Sequence, residues 1–210
     1  MKNKFNFTIT FVLLHIFLLA TCTANAQTIN SAEALKEYLD KQPANSPDKP
    51  IRVTMSANVP MLKNIATAIN SAGKYVSLNL SGNALTSIPD ESFAKCDLLA
   101  AITLPNSVIS IRTWAFDGCT GLTSIIIPNS VTSIGNQAFR DCTSLTSVTL
   151  PDSVTNIGQF AFSYCTSLKS VTIPNNVTNI GHGAFEHCSS LTSITIPNKR
   201  KMTHFTQLQG

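Results

Sequence analysis

The sequence predicts an α/β solenoid: a right-handed coil of stacked turns, with a parallel β-sheet on one face and short helical or 3-10 turns on the other. Three observations lead there. Cys96, Cys119, Cys142, Cys165 and Cys188 fall 23 residues apart. Phe93, Phe116, Phe139, Phe162 and Phe185 keep the same step, as do Pro105, Pro128, Pro151, Pro174 and Pro197, and Leu99, Leu122, Leu145, Leu168 and Leu191. Between the leucine and proline columns runs a short apolar alternation. A fixed period in the twenties means that each turn is one supersecondary unit, able to bury its apolar side only against the turns above and below it.

The chain of 210 residues then divides in order. Residues 1–26 carry Lys2 and Lys4, an apolar run from about Ile9 to Ala20, and Ala24-Asn25-Ala26 before Gln27. This is the pattern of a secretory signal peptide, too short for a stable membrane span. Leu19-Ala20-Thr21-Cys22 is also an imperfect lipobox, so Cys22 is a candidate for lipidation, although threonine replaces the usual small residue before the cysteine. Either signal takes the protein out of the cytoplasm, to secretion or to the cell surface, outer-membrane-associated if lipidated.

Residues 27–75 read as an amino-terminal capping region. Ser31 N-caps a helix over 31–41, with Leu35, Tyr38 and Leu39 on one face. Pro43, Pro47 and Pro50 mark a loop. Ile51 to Met55 alternates like a strand, Leu62, Ile65, Ala66 and Ile69 give a second helix ending near Gly73, and a strand resumes at Tyr75 to Leu80. Such a piece covers the first turn of a solenoid; a separate small domain is the competing reading, disfavoured by its shortness.

Residues 76–198 hold five repeats of about 23 residues. In the turn from Leu122 to Cys142, Ile125 and Ile127 point inward and Ser124 and Ile126 outward, and Pro128 ends the strand because it has no N–H for a ladder. Asn129-Ser130 supplies turn chemistry, Val131 and Ile134 re-enter the core, and Ala138, Phe139 and Cys142 share one face of a helical or 3-10 turn. In the first repeat Leu78 and Leu80 stand one residue early, so an extra residue lies within 81–84. Residues 199–210 form a basic polar tail in which only Met202, Phe205 and Leu208 are helically spaced; it reads as disordered or as a truncated end, leaving the last turn uncapped and open to self-association.

The pattern L-x-x-[IV]-x-[IL]-P-x-[SN]-V-x-x-I-x-x-x-A-F-x-x-C resembles the BspA-like leucine-rich repeats of bacterial surface proteins. The resemblance implies a curved leucine-rich-repeat fold and a secreted or surface protein, often an adhesin for host extracellular-matrix or cell-surface proteins. It implies no catalytic residues and no cofactor.

Composition narrows the functions further. The formal charge of +4 falls to +2 once residues 1–26 are set aside, and residues 76–198 hold four basic against seven acidic side chains. No basic groove follows the coil, so nucleic acid is not an expected partner, and membrane contact is expected only through Cys22. Equivalent cysteines in stacked turns point the same way, whereas a disulfide needs converging Cβ vectors; buried free thiols are therefore expected. One cysteine per turn is not a zinc pattern. His182, Glu186, His187 and Cys188 lie close in sequence, but the histidines occupy variable slots and the cysteine a packing column, which argues for exposed histidines and against a metal site. The outward strand positions, Ala101/Thr103, Ser124/Ile126, Ser147/Thr149, Ser170/Thr172 and Ser193/Thr195, hold no carboxylate pair and no base beside a nucleophile, so no enzyme is expected. Variation is concentrated around the Ala-Phe pair: Trp114, Gln137, Phe160 and Gly183 before it, then Asp117, Arg140, Ser163 and Glu186, and Gly118, Asp141, Tyr164 and His187 after it. Trp114, Arg140, Phe160, Tyr164 and His187 are the candidate protein-contact residues, four of them of types enriched at binding hot spots, although Trp114 and Phe160 also suit space-filling between turns.

Overall fold

The computed structural model describes residues 29–195. The expected signal peptide with Cys22, and the tail at 199–210, lie outside those residues. Helix α1 (Ala32–Asp40) starts where the Ser31 hydroxyl accepts a hydrogen bond from the Ala34 N–H at 3.1 Å. Strand β1 (Ile51–Ser56) follows, then α2 (Val59–Ala72), capped by Asn58 and closed by Gly73 at φ 63°. Both helices turn an apolar face inward, burying Leu35 and Leu39 of α1 and Leu62, Ile65 and Ile69 of α2. Strand β2 (Val76–Ser81) lies parallel to β1 from Ile51↔Val76 to Ser56↔Ser81. This β-α-β unit is the first turn of the coil, with α2 occupying the place that a simple turn takes in every later rung.

The coil continues through β3 (Ser87–Ile88), β4 (Leu99–Thr103), β5 (Ser110–Ile111), β6 (Ser124–Ile126) and β7 (Ser133–Ile134). It ends its described part with β8 (Asn156–Ile157), β9 (Ser170–Thr172), β10 (Asn179–Ile180) and β11 (Ser193–Thr195). Two sets of parallel ladders run along it. On the concave face the order is β1-β2-β4-β6, then β9-β11 after a break. The broken rung, 145–150, keeps the alternation, with Val148 and Leu150 buried and Ser147 and Thr149 exposed, but its entry bond from the Thr146 N–H to the Thr123 carbonyl is stretched to 3.4 Å. The second ladder, β3-β5-β7-β8-β10, consists of two-residue strands that bury Ile88, Ile111, Ile134, Ile157 and Ile180. Its isoleucines keep the 23-residue step, but two residues are too few to show a strand's alternation, and the ladder was not foreseen. The early leucines of the first repeat also find their reason: β2 pairs with β4 as Val76↔Leu99 and then Ser77↔Ala101, so Ala100 is a bulge, and the extra residue in 81–84 restores step before Leu85.

Between the ladders the core is a set of rows. The five phenylalanines stack with ring centroids 5.1–5.4 Å apart, 2–8° from parallel, and each is essentially sealed from water. Burying one such ring is worth about 2–3 kcal/mol, with about 1 kcal/mol more for the aromatic contact. The five described cysteines are free and buried, as expected. Each thiol donates along the coil: Cys119 to the Phe93 carbonyl at 2.9 Å, Cys142 to Phe116 and Cys165 to Phe139 at 3.2 Å, and Cys188 to Phe162 at 3.0 Å. Cys96, in the first repeat after the β-α-β unit, instead meets the Ala66 carbonyl of α2. Burial pushes the Cys96 thiol up to about 12 and Cys188 to about 11, and raises the other three well above the ordinary value. Such thiols stay protonated and unreactive.

Candidate functional site

The segment expected to be a helical or 3-10 turn on the convex side is a run of single turns closed by three-residue hydrogen bonds, and the pattern of those bonds explains its shape. In the rung at 112–119, the Ala115, Asp117 and Cys119 N–H groups donate three residues back, to Arg112, Trp114 and Phe116. The alternate groups turn along the coil instead: Trp114 N–H donates to Asn136 O, Phe116 to Ala138 and Gly118 to Arg140. The pattern repeats with Gln137, Phe139 and Asp141, and with Phe160, Phe162 and Tyr164. Redirecting every other N–H requires a left-handed residue before and after each buried phenylalanine. Those residues are Glu91, Trp114, Gln137, Phe160 and Gly183 in one column, and Lys95, Gly118, Asp141, Tyr164 and His187 in the other, all with φ between 54° and 71°. Glycine adopts this conformation freely; other residues are strained in it by roughly 1–2 kcal/mol. The two columns are two of the three slots in which the repeats vary; the third, Asp117, Arg140, Ser163 and Glu186, lies between Phe and the second column on ordinary backbone.

Four of the five candidate contact residues, Trp114, Phe160, Tyr164 and His187, therefore stand on left-handed backbone. Trp114 is 40 % and Tyr164 43 % exposed. The indole N–H of Trp114 donates to Gln137 Oε1 at 2.6 Å, one rung on. Phe160 is half-buried, edge-on to His182 at 5.4 Å, and its ring occupies the space a side chain on Gly183 would need. Tyr164 and His187 are brought together, ring centroids 4.5 Å apart, with His187 Nε2 3.8 Å from Glu186. Arg140 has ordinary backbone and lies between two carboxylates, its Nε 3.1 Å from Asp141 and 3.7 Å from Asp117. Burial raises the Asp117 pKa against the pull of Arg140, and its Oδ1 accepts no hydrogen bond. The five residues thus form two aromatic columns flanking an ion-paired arginine, and only Tyr164 and His187 touch each other.

Sequence reasoning missed the groove at the start of the first column. A cleft of about 480 Å³ lies between α2 and the first convex turn, lined by Lys63, Thr67, Asn70, Glu91, Lys95, Trp114 and Asp117 among others. Lys63 faces Glu91 at 3.9 Å across it. A signal for the columns did exist: a glycine standing in register with Trp, Gln and Phe, or with Asp, Tyr and His, marks a position that needs positive φ.

From β4 onward the concave face is as plain as expected: its outward side chains are Ala101, Ser, Thr and Ile126, the last 62 % exposed where the other rungs carry threonine. The first two strands add exposed Arg52 of β1 and Asn79 of β2 in the same rows. Among the described residues no group of three or more His, Cys, Asp or Glu could hold a metal ion, and no helix is long and apolar enough to cross a membrane.

Comparison with known proteins agrees with this geometry. A leucine-rich-repeat protein from Bacteroides ovatus is 38 % identical over 54 % of this chain, with a TM-score of 0.52; the match covers 30 % of that protein. The T. pallidum leucine-rich-repeat protein is 31 % identical over 74 % of this chain and 68 % of its own, with a TM-score of 0.56. A leucine-rich cell surface protein from Faecalibacterium prausnitzii is 31 % identical over 62 % of this chain and 36 % of its own, with a TM-score of 0.57. No curated protein matches the chain. The model of the BspA type leucine-rich repeat region matches residues 86–207 in six copies. Five of its convex turns are described here, and Leu191 opens a sixth rung. By repeat, register and fold, this chain belongs to the BspA-type leucine-rich-repeat family.

Proposed function

We propose that the protein is an exported, non-enzymatic repeat protein whose convex edge contacts another protein, as an adhesin does. The observation that supports this best is the exposure of Trp114 and Tyr164 on left-handed backbone. Packing alone favours glycine there, as at Gly118 and Gly183; keeping a large aromatic side chain in strained backbone and in water is the mark of a contact function. Export is supported by the signal pattern of residues 1–26, and a surface location by the Faecalibacterium neighbour described as a cell surface protein. A host extracellular-matrix or cell-surface protein is the partner class that suits such a location. The test is capture of matrix components by the processed chain. Replacing Trp114, Arg140, Phe160 and Tyr164 together abolishes capture with the fold intact; capture that survives the change removes the reading.

Self-association is a second reading, favoured by the last described rung. Cys188 and Leu191 are 7 % and 8 % exposed, where Cys165 and Leu168 one rung earlier are at 0 %. Sizing the chain with and without residues 199–210 tests it: association through this end changes on removing them, and a monomer in both forms excludes it.

A further inference from the structure

We infer that the column Trp114–Gln137–Phe160, with the cleft at its amino-terminal end, binds an extended, uncharged β-1,4-linked glycan. This goes beyond the protein-contact reading, assigning one of the two columns a ligand of another class. The first ground is spacing. Trp114 and Phe160 stand two rungs apart in one column, and the phenylalanines beside them, Phe116, Phe139 and Phe162, step by 5.2 and 5.1 Å. The aromatic platforms therefore repeat at about 10 Å, two rungs of a parallel stack. Both rings lean the same way, Trp114 toward Gln137 and Phe160 over Gly183, which preserves the interval. In an extended β-1,4-linked chain each sugar is turned over relative to the last, so the same ring face recurs once per disaccharide, at this interval. Sugar faces are apolar and stack on aromatic rings.

The second ground is the chemistry between and beside the platforms. Gln137 lies midway in the column, and with its Oε1 accepting from the Trp114 indole its amide N–H₂ is the group left to donate. At the Trp114 end the cleft offers both charges in balance, Lys63 and Lys95 with Glu91 and Asp117. Two cations against two carboxylates hold no net attraction for a phosphate or an acidic chain, but they supply donors and acceptors for neutral hydroxyls. Peptides fit less well. An extended peptide repeats one face at roughly 7 Å. A polyproline helix repeats at roughly 9 Å, nearer the mark, but has no N–H groups for Glu91 and Asp117.

Trp114 is the single tryptophan of the chain, so its fluorescence reports the site directly. The whole chain is titrated with β-1,4-linked glucose and N-acetylglucosamine hexamers, with β-1,3- and α-1,4-linked glucose hexamers, and with a ten-residue polyproline peptide. The expected result is an emission change with a β-1,4 hexamer, and binding at least about tenfold weaker for the other linkages and the peptide. Glycine is the replacement of choice, because the backbone at these positions is left-handed and the fold is spared. Phe160→Gly weakens binding about tenfold, Trp114→Gly abolishes retention on an insoluble β-1,4 glucan, and Tyr164→Gly, in the other column, changes neither. The inference is overturned if no hexamer moves the emission, if all linkages or the peptide respond alike, or if Tyr164→Gly costs as much as Phe160→Gly. A chain that ignores every glycan but still captures a protein loses this inference and keeps the protein-contact reading.

Discussion

Half a rung separates two regions that obey opposite rules. In the interior each phenylalanine, cysteine and leucine meets its own copy one step away, so a change in any rung leaves a hole or a clash in two interfaces. Sameness is enforced there by contact. On the convex edge the two left-handed columns ask only for a backbone conformation, since their N–H groups make the junction and their side chains lean outward. Glu, Trp, Gln, Phe and Gly follow one another in a single column with no change in φ beyond about ten degrees. The repeat is a packing device inside and a display device outside, and the two can be pulled apart by experiment.

The largest effect comes from the thiol row. The five cysteines of this row all have raised pKa values in the folded chain, chiefly through burial. The folded state thus holds protons that the unfolded state releases once pH passes the ordinary thiol value near 9, and stability is present below that pH and lost above it. One pH unit above the unfolded value costs about 1.4 kcal/mol per thiol. Five thiols make the loss at pH 10 roughly 5 kcal/mol or more, enough to bring a marginal domain close to unfolding. Thermal unfolding at pH 8 and pH 10 measures it, with cysteine-to-alanine variants to separate the thiols from tyrosine and lysine. The two-residue strands β3, β5, β7, β8 and β10 hold no thiols and contribute no share of this loss, and the thiols of the row resist alkylation until the chain unfolds.

Next in size is the centre of the phenylalanine row. Phe139 is stacked on both faces, at 5.2 and 5.1 Å, and fully buried. Phe139→Ala removes two ring contacts and leaves a cavity, and costs about 3–5 kcal/mol by urea denaturation. A loss below 1 kcal/mol would mean that the rows slide together to refill the gap, and that interior sameness is not enforced by contact.

The interior was legible in the sequence because burial and identity coincide there. The 23-residue step of Phe, Cys, Leu and Pro fixed which side chains share a row, and Ser31 and Gly73 marked the start of α1 and the end of α2. The convex edge was legible only as variation. Its left-handed backbone follows from hydrogen bonds between residues 22 apart, such as Trp114 N–H to Asn136 O, and no local pattern of Trp, Gln and Phe encodes those. Reading Ala138, Phe139 and Cys142 as one face of a helical or 3-10 turn was right about burial and about the three-residue hydrogen bonds, and missed only the left-handed residues, Gln137 and Asp141, on either side of Phe139. The cleft escaped for a related reason: it joins α2 to residues some 25 positions later, and its polar walls have no period.

The smallest effect separates the regions most sharply, because one substitution has opposite signs in the two. Lys95 is exposed, has φ 58° and forms no ion pair within 4 Å among the described residues. Lys95→Gly relieves left-handed strain worth roughly 1–2 kcal/mol and gives back part of it through the greater freedom of glycine when unfolded. The net expectation is a stabilisation of about 0.5–1 kcal/mol. Thr172 is equally exposed but lies in β9 with extended backbone, where glycine only adds unfolded-state entropy and removes a β-branched side chain. Thr172→Gly costs about 1 kcal/mol. Urea midpoints at unchanged m-value decide the matter. If both variants lose stability, the left-handed columns are held without strain, the argument from strain to display at Trp114 and Tyr164 fails with them, and the exposed aromatics become ordinary surface residues.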